Sequence, residues 1–168
     1  PGGGYRDIVR PDGVLRLADI KLGREPLLTN GSAALWDIGD GVVCFEFTSQ
    51  SNALDEQVMV LLGKTIKLVK DRYKALVVYN EGTNFSVGAN LGLALFAANI
   101  AAWGEIEKLV HLGQQTYRQL KYAPFPVVSA PSGMALGGGC EILLHSDAVQ
   151  AHAESYIGLV ECGVGLVP

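Results

Sequence analysis

Short apolar runs alternate with longer amphipathic segments through residues 33–151, and this order restricts the folds that the chain can adopt. The runs that predict strands are residues 33–38, 42–47, 75–79, 127–129 and 148–151. The segments that predict helices are residues 54–70, 91–101, 105–121 and a last one that begins within 137–145. Strands separated by helices predict an α/β fold with a largely parallel sheet, in which ligands bind at the carboxyl ends of the strands.

Local signals mark the boundaries of two of these elements. The sequence Gly39-Asp40-Gly41 separates two strand-like runs and predicts a β-hairpin. Ser51 or Asn52 is expected to cap the helix predicted for residues 54–70, because short polar side chains accept hydrogen bonds from the first free N–H groups of a helix.

Composition disfavours several classes of protein. The 168-residue chain has a formal net charge of −4, which argues against binding to nucleic-acid phosphates. It has no apolar run long enough to span a bilayer and no signal-peptide pattern at its start. Three cysteines without metal-binding spacing predict a reducing, cytoplasmic setting and no metal site. We therefore expect one domain that binds neither nucleic acid nor a membrane.

The glycine run that ends in Glu141 is the first candidate for chemistry. The predicted start of a helix contains Gly137, Gly138 and Gly139. The N–H groups there lack intrahelical partners and lie at the positive end of the helix dipole. Such donors stabilise an oxygen that gains negative charge, and Glu141, one turn later, could move a proton nearby. The alternative is structural: the glycines permit tight packing, and Glu141 is a first-turn charge favoured by the dipole.

Two further features belong with this run. Residues 85–90 form a second glycine-containing segment that follows a predicted strand, so its backbone could supply another N–H donor. Glu161 follows the apolar residues 156–160, where a carboxylate is costly to bury without a partner and can serve as an acid or a base. The alternatives are an ordinary loop and an exposed glutamate at the start of a loop.

These segments resemble the enoyl-CoA hydratase/isomerase (crotonase) superfamily. The family pattern F-[SA]-x-G-A-D is similar to Phe85-Ser-Val-Gly-Ala-Asn90. The longer pattern P-V-[IV]-[AS]-A-x-x-G-x-A-x-G-G-G-x-E is similar to Pro126-Val-Val-Ser-Ala-Pro-Ser-Gly-Met-Ala-Leu-Gly-Gly-Gly-Cys-Glu141. Asn52-Ala-Leu54 resembles the segment that opens the first helix in the family. The order and spacing agree through residues 33–168.

The resemblance implies a crotonase-like (ClpP/crotonase) α/β fold, a repeated β-β-α superhelix, and a role for each matching position. It implies that Glu141 and Glu161 are the catalytic pair and that the N–H groups of Ala89 and Gly138 form an oxyanion hole. The residues implied to bind the substrate are Val87, Gly88, Ala89, Asn90, Leu91 and Gly138.

Because hydratases of the family carry both glutamates, the resemblance favours hydration of a trans-2-enoyl-CoA to a 3-hydroxyacyl-CoA in fatty-acid β-oxidation. It implies no cofactor beyond the CoA of the substrate. Within the same superfamily, an enoyl-CoA isomerase, a decarboxylase or a thioester hydrolase is the alternative, and a non-catalytic acyl-CoA-binding or assembly module is another. A serine-hydrolase triad of Ser132, His145 and Asp147 is disfavoured, because the sequence has no nucleophile elbow.

The chain departs from the family pattern in several places. Asn90 stands where the family usually has Asp, and Thr48-Ser-Gln-Ser51 stands where it has N-R-P. Residues 1–31, rich in Gly, Pro and charge, are predicted to be a lead-in or interdomain linker, as in a dehydrogenase–hydratase fusion. Residues 32–168 are predicted to be a crotonase-like core without its C-terminal helices. Complete family domains form trimers or hexamers, so we expect a homo-oligomer.

Overall fold

The computed structural model describes residues 8–167, so the first seven residues of the predicted lead-in and residue 168 lie outside this range. The strands are β1 (Leu28–Thr29), β2 (Ala33–Gly39), β3 (Val42–Phe47), β4 (Ala75–Val78), β5 (Val127–Ser129), β6 (Met134–Leu136), β7 (Ala148–Val149) and β8 (Tyr156–Gly158). The α-helices are α1 (Leu17–Lys21), α2 (Glu56–Arg72), α3 (Leu91–Asn99), α4 (Trp103–Lys121) and α5 (Gly138–Leu144). Short 3₁₀ turns lie at Gln50–Asn52 and Glu161–Val164.

Within the described residues, the main sheet has the spatial order β1-β2-β3-β4-β5-β7, and β6 pairs with β8 in a second, smaller sheet. Strands β2 and β3 form the predicted hairpin, whose turn places Asp40 and Gly41 at φ angles of 55° and 81°. The pairings from β3 through β4 and β5 to β7 are parallel, as the alternation of strands and helices predicted. The β-β-α order appears twice, as β2–β3–α2 and β5–β6–α5.

Helix α2 covers one face of the main sheet and provides much of the core. Its apolar residues recur at helical spacing, and those that face the sheet are buried, including Val58, Leu62, Ile66 and Val69. The residues that fill the space between helix and sheet are Leu35, Val43, Phe45, Leu76, Leu120 and Val127. Burial of these side chains holds the carboxyl ends of β4 and β5 side by side, and the candidate site begins there.

The start of α2 differs from the prediction. Asp55, not Ser51 or Asn52, caps the helix by accepting a 2.8 Å hydrogen bond from the N–H of Val58. Ser51 and Asn52 have φ angles of 56° and 54° and lie in the preceding turn. The helix begins later than predicted because the N–H of Leu54 donates to the carbonyl of Gly88, which keeps this segment extended.

Some predicted boundaries shift by one or two residues, and the sequence did not reveal the second sheet. Strand β4 ends at Val78 and β7 at Val149, whereas α4 begins at Trp103. Strand β1 and helix α1 lie inside the segment predicted to be a lead-in, and β1 pairs with β2 at the edge of the main sheet. The division of the chain at residue 31 stays a prediction.

Candidate active site

The loop that follows β4 lies against the start of α5. The N–H of Ser86 donates to the carbonyl of Met134 over 3.0 Å, and the N–H of Leu136 donates back to the carbonyl of Ser86 over 2.9 Å. A methyl group on Gly139 would lie 2.8 Å from both the Cβ and the carbonyl oxygen of Ser86. Gly139 therefore serves the packing role that was the structural alternative for the glycine run.

The loop presents Ala89 with a free N–H. Leu54 pairs with Ala89 in a parallel bridge and donates its own N–H to the carbonyl of Gly88 over 2.8 Å. Among residues 8–167, no acceptor contacts the N–H of Ala89, and Ala89 is exposed. The side chain of Ser86 steadies the loop from within by bonding the N–H of Gly88 over 3.2 Å and the carbonyl of Asn52 over 2.7 Å.

The second donor stands at the first residue of α5. The carbonyl of Gly137 accepts the N–H of Glu141 over 3.0 Å, so the helical turn is closed while the N–H of Gly138 finds no acceptor in the described part of the chain. A methyl group on Gly88 would lie 3.3 Å from the nitrogen of Gly138. The structure therefore brings the two predicted oxyanion segments into contact.

The two predicted carboxylates border adjacent glycines. A methyl group on Gly137 would lie 2.9 Å from Oε1 of Glu161, and one on Gly138 would lie 3.7 Å from Oε2 of Glu141. Burial, followed by the charge of Glu161 and opposed by that of His145, raises the pKa of Glu141. Oε2 of Glu161 is buried and has no hydrogen-bond partner among the described residues. An unpaired buried carboxylate oxygen is costly, and a water or a ligand would satisfy it.

Glu161 reaches this place through the small second sheet. Strand β8 pairs with β6 in parallel, with Leu136 opposite Gly158, and the N–H of Gly137 donates to the carbonyl of Gly158 over 2.9 Å. The 3₁₀ turn that follows β8 begins with Glu161. The β6–β8 pairing thus brings Glu161 to the start of α5, the helix that carries Glu141, although the two glutamates are twenty positions apart in the sequence.

Tyr117 is a site residue that the sequence analysis missed. Its side chain projects from α4 and is 7% exposed, and its hydroxyl donates to the carbonyl of Gly138 over 3.3 Å. Its ring stacks on that of His145 with centroids 5.5 Å apart. The helical spacing of α4 indicated which residues face inward, but nothing in it linked Tyr117 to the glycine run.

The remaining predicted substrate-binding residues lie along the same loop and its exit. Val87 is half-buried and Gly88 is buried, whereas Asn90 and Leu91 are exposed. Asn90, where the family usually has Asp, caps α3 by accepting a 3.2 Å hydrogen bond from the N–H of Leu93. An aspartate would cap the helix in the same way, so the substitution preserves this local role.

The Ser132, His145 and Asp147 triad does not form. The carboxylate of Asp147 accepts the N–H of Val127 over 2.8 Å, and Nδ1 of His145 lies 2.6 Å from the carbonyl oxygen of Glu141. Ser132 makes no side-chain hydrogen bond to either of them within residues 8–167. The side chains of His145 and Asp147 are thus engaged elsewhere, and the structure does not support this alternative.

Residues 8–167 contain no cluster of His, Cys, Asp and Glu able to hold a metal ion. None of the helices in that range combines the length and the apolar character needed to cross a bilayer.

The chain is similar in sequence to longer bacterial proteins. The chain is 39% identical over 166 residues to a probable 3-hydroxyacyl-CoA dehydrogenase of Bacillus subtilis (strain 168), covering 99% of this chain and 21% of that protein. It is 41% identical over 142 residues to a putative fatty acid oxidation complex trifunctional enzyme of Rickettsia prowazekii (strain Madrid E), covering 84% and 20%. The chain thus spans about a fifth of the length of these relatives.

Solved structures share the fold. An enoyl-CoA hydratase from Polaromonas sp. JS666 superimposes with a TM-score of 0.77 at 20% identity, covering 82% of this chain and 55% of that one. A putative enoyl-CoA hydratase/isomerase (crotonase) from Legionella pneumophila gives a TM-score of 0.74 at 22% identity, covering 83% and 55%. The predicted crotonase-like α/β fold is therefore confirmed. The sequence pattern described as enoyl-CoA hydratase/isomerase matches residues 37–168. The chain belongs to the enoyl-CoA hydratase/isomerase family.

Proposed function

We propose that this chain carries the active site of an enoyl-CoA hydratase, which adds water in a syn manner to a trans-2-enoyl-CoA and yields a 3-hydroxyacyl-CoA. The observation that carries the proposal is the position of two carboxylates beside adjacent glycines at the start of α5: Glu161 beside Gly137 and Glu141 beside Gly138. A single carboxylate suffices to move a proton from one carbon of the acyl chain to another, as in isomerisation. Two carboxyl groups beside one oxyanion hole can hold a water molecule between them.

The oxyanion hole polarises the substrate. The thioester oxygen would accept hydrogen bonds from the N–H groups of Ala89 and Gly138, which have no acceptors among residues 8–167. Negative charge grows on this oxygen as the C2–C3 double bond is attacked, so the donors bind the transition state more strongly than the substrate. Loss of one such donor typically lowers the rate by about 10²–10³-fold.

The carboxyl pair completes the addition. One carboxylate takes a proton from water as the water oxygen bonds to C3, and the electron pair of the double bond moves towards the thioester. The other carboxyl group delivers a proton to C2 and is left ionised, while the first carboxyl group carries the proton taken from water. Transfer of that proton across the pair restores the starting state, so the net reaction adds one water to the double bond. Burial and the neighbouring charge of Glu161 raise the pKa of Glu141. We assign the roles of acid and base to the pair as a whole.

The names of the relatives favour a place in fatty-acid β-oxidation, because one is called a fatty acid oxidation complex trifunctional enzyme and another a 3-hydroxyacyl-CoA dehydrogenase. A dehydrogenase of that kind would consume the product of the hydration. We propose that CoA enters only as part of the substrate, that no metal or redox cofactor takes part, and that the protein is a trimer or hexamer. We also propose a cytoplasmic location.

Hydration of crotonyl-CoA by the intact protein tests the proposal. The loss of the ultraviolet absorbance of the conjugated enoyl thioester measures the rate. Glu141→Gln and Glu161→Gln should each lower kcat by about 10²–10⁴-fold, the usual contribution of a positioned acid or base. Glu154→Gln is the matched control, because Glu154 is exposed and its carboxylate makes no hydrogen bond within residues 8–167. It should retain the full rate.

Two results would contradict the assignment. A folded protein that binds a CoA thioester but never hydrates crotonyl-CoA is not a hydratase, and isomerisation of a 3-enoyl-CoA by the same protein would identify the alternative chemistry. Full hydration by both glutamine variants would show that the carboxylates are not the acid and base.

A further inference from the structure

The glycines that begin α5 have no side chains of their own to hold them. Glycine also loses more conformational freedom on folding than any other residue, so its position depends on its neighbours. At Gly139 the neighbour is Ser86, which lies where a side chain would be. At Gly138 there are two neighbours: a methyl group there would lie 2.8 Å from the hydroxyl of Tyr117 and 2.9 Å from Cδ1 of Leu54.

Among the side chains of residues 8–167, Tyr117 alone hydrogen-bonds to Gly138. Its hydroxyl donates to the carbonyl of Gly138, whose N–H is the second oxyanion donor. Burial, followed by the charges of Glu141 and Glu161, raises the pKa of Tyr117, so the phenol keeps its proton at any ordinary pH and remains a donor. A methyl group on Gly138 would lie 2.8 Å from this hydroxyl and 3.7 Å from Oε2 of Glu141, so both groups border the same residue.

Tyr117 touches α5 at its other end as well. Its ring stacks on His145, the residue that follows the last turn, at an interplanar angle of 29°. Nδ1 of His145 lies 2.6 Å from the carbonyl oxygen of Glu141. One side chain from α4 therefore contacts the first residue of α5 through its hydroxyl and the residue after its end through its ring.

We propose that Tyr117 is a positioning residue for the reaction: its hydroxyl fixes the backbone of Gly138 so that the Gly138 N–H faces the thioester oxygen. The inference rests on the proposed function, because it concerns the same oxyanion hole. A hydrogen bond to the Gly138 carbonyl restricts rotation of a residue that has no Cβ to restrict it. Without that bond the N–H samples orientations that do not meet the developing charge, which lowers transition-state binding more than substrate binding.

The variant Tyr117→Phe in the intact protein removes the hydroxyl and keeps the ring, so the stacking on His145 and the fold are retained. Tyr122→Phe is the matched control, because Tyr122 follows the last residue of the same helix and is 73% exposed. With crotonyl-CoA, Tyr117→Phe should lower kcat about tenfold with KM changed less than twofold, and Tyr122→Phe should change neither. A merely structural role for the hydroxyl would lower the melting temperature without this division between kcat and KM.

A binding measurement separates this inference from the hydratase proposal. Acetoacetyl-CoA can bind as an enolate, with negative charge on its thioester oxygen, whereas butyryl-CoA cannot. The ratio of their affinities therefore reports the oxyanion hole without any turnover. Tyr117→Phe should lower that ratio about tenfold. If the wild type does not hydrate crotonyl-CoA, the hydratase function is refuted. If the affinity ratio is nevertheless lower in Tyr117→Phe than in the wild type, the positioning role is supported.

A double-mutant cycle tests the contact itself. Gly138→Ala places a methyl group against the Tyr117 hydroxyl, so it should destabilise the wild type more than it destabilises Tyr117→Phe. An additive cycle, or an unchanged affinity ratio together with an unchanged kcat in Tyr117→Phe, would overturn the inference even if the wild type hydrates crotonyl-CoA.

Discussion

A change at the single residue Gly88 would disturb the contact between the loop after β4 and the start of α5. Gly88 has a φ angle of 85°, in the left-handed region that an alanine rarely adopts. A methyl group there would also lie 2.8 Å from the carbonyl oxygen of Leu136, which is backbone and cannot rotate away. Gly88→Ala should therefore move the loop and carry the N–H of Ala89 out of line with that of Gly138.

The expected size of the effect follows from two terms. The left-handed conformation costs an alanine about 1–2 kcal/mol. Forcing an extra methyl group against a packed backbone costs a further 1–3 kcal/mol or so. Gly39 separates these terms: its φ angle is 98°, but a methyl group there would meet nothing within 4 Å. Gly39→Ala should therefore show the conformational cost alone.

Thermal unfolding and crotonyl-CoA hydration measure the two consequences. Gly88→Ala should lower the melting temperature by about 10 °C, and Gly39→Ala by about 5 °C, for a domain of this size. Because Gly88→Ala displaces one oxyanion donor, it should also lower kcat by about 10²-fold at a temperature where the variant is folded. Gly39→Ala should keep the wild-type kcat.

A folded Gly88→Ala protein whose kcat is within threefold of the wild-type value would refute the reasoning, because the loop would then not position a donor. Equal losses of stability in Gly88→Ala and Gly39→Ala would also contradict it, since the contact with Leu136 would then contribute nothing.

Two further predictions concern stability. Burial, followed by the charge of Glu161, raises the pKa of Glu141 above its ordinary value of 4.5 in the native state. The native state therefore binds the carboxyl proton more tightly than the unfolded state. The resulting stability is complete below pH 4.5 and is lost as the pH rises through the pKa of the native state. Glu141→Gln should therefore gain melting temperature relative to the wild type as the pH rises from about 4 to 7, and a difference that does not vary with pH would contradict this. Glu46 is 7% exposed, and its carboxylate accepts hydrogen bonds from Nζ of Lys21 over 2.8 Å and from the indole N–H of Trp36 over 2.9 Å. Lys21→Ala should lower the free energy of unfolding in urea by about 1–3 kcal/mol, whereas Lys21→Arg should restore most of it; no change would show that α1 is not part of the folded unit.

Local patterns in the sequence were sufficient for the elements whose shape depends on near neighbours. The spacing of apolar residues in α2 predicted its buried face, and the hairpin at Gly39-Asp40-Gly41 formed as expected. The glycine run and Glu141 were predicted correctly as the start of a helix, because a helix start needs only the residues of one turn. By contrast, the predicted caps Ser51 and Asn52 were wrong, since a distant loop holds Leu54 out of the helix.

The arrangement of the site depended on contacts between segments far apart in the chain. The residues of β6 and β8 are short runs with no period that marks them as partners, and their parallel pairing is what brings Glu161 to Gly137. Tyr117 looks from the sequence like one more inward-facing residue of α4, and only the packing of α4 on α5 places its hydroxyl on Gly138. Residue type and local turn specify which backbone donors and carboxylates the chain possesses. Their meeting at the start of α5 follows from strand pairing and helix packing between residues too far apart in the chain to leave a local signal.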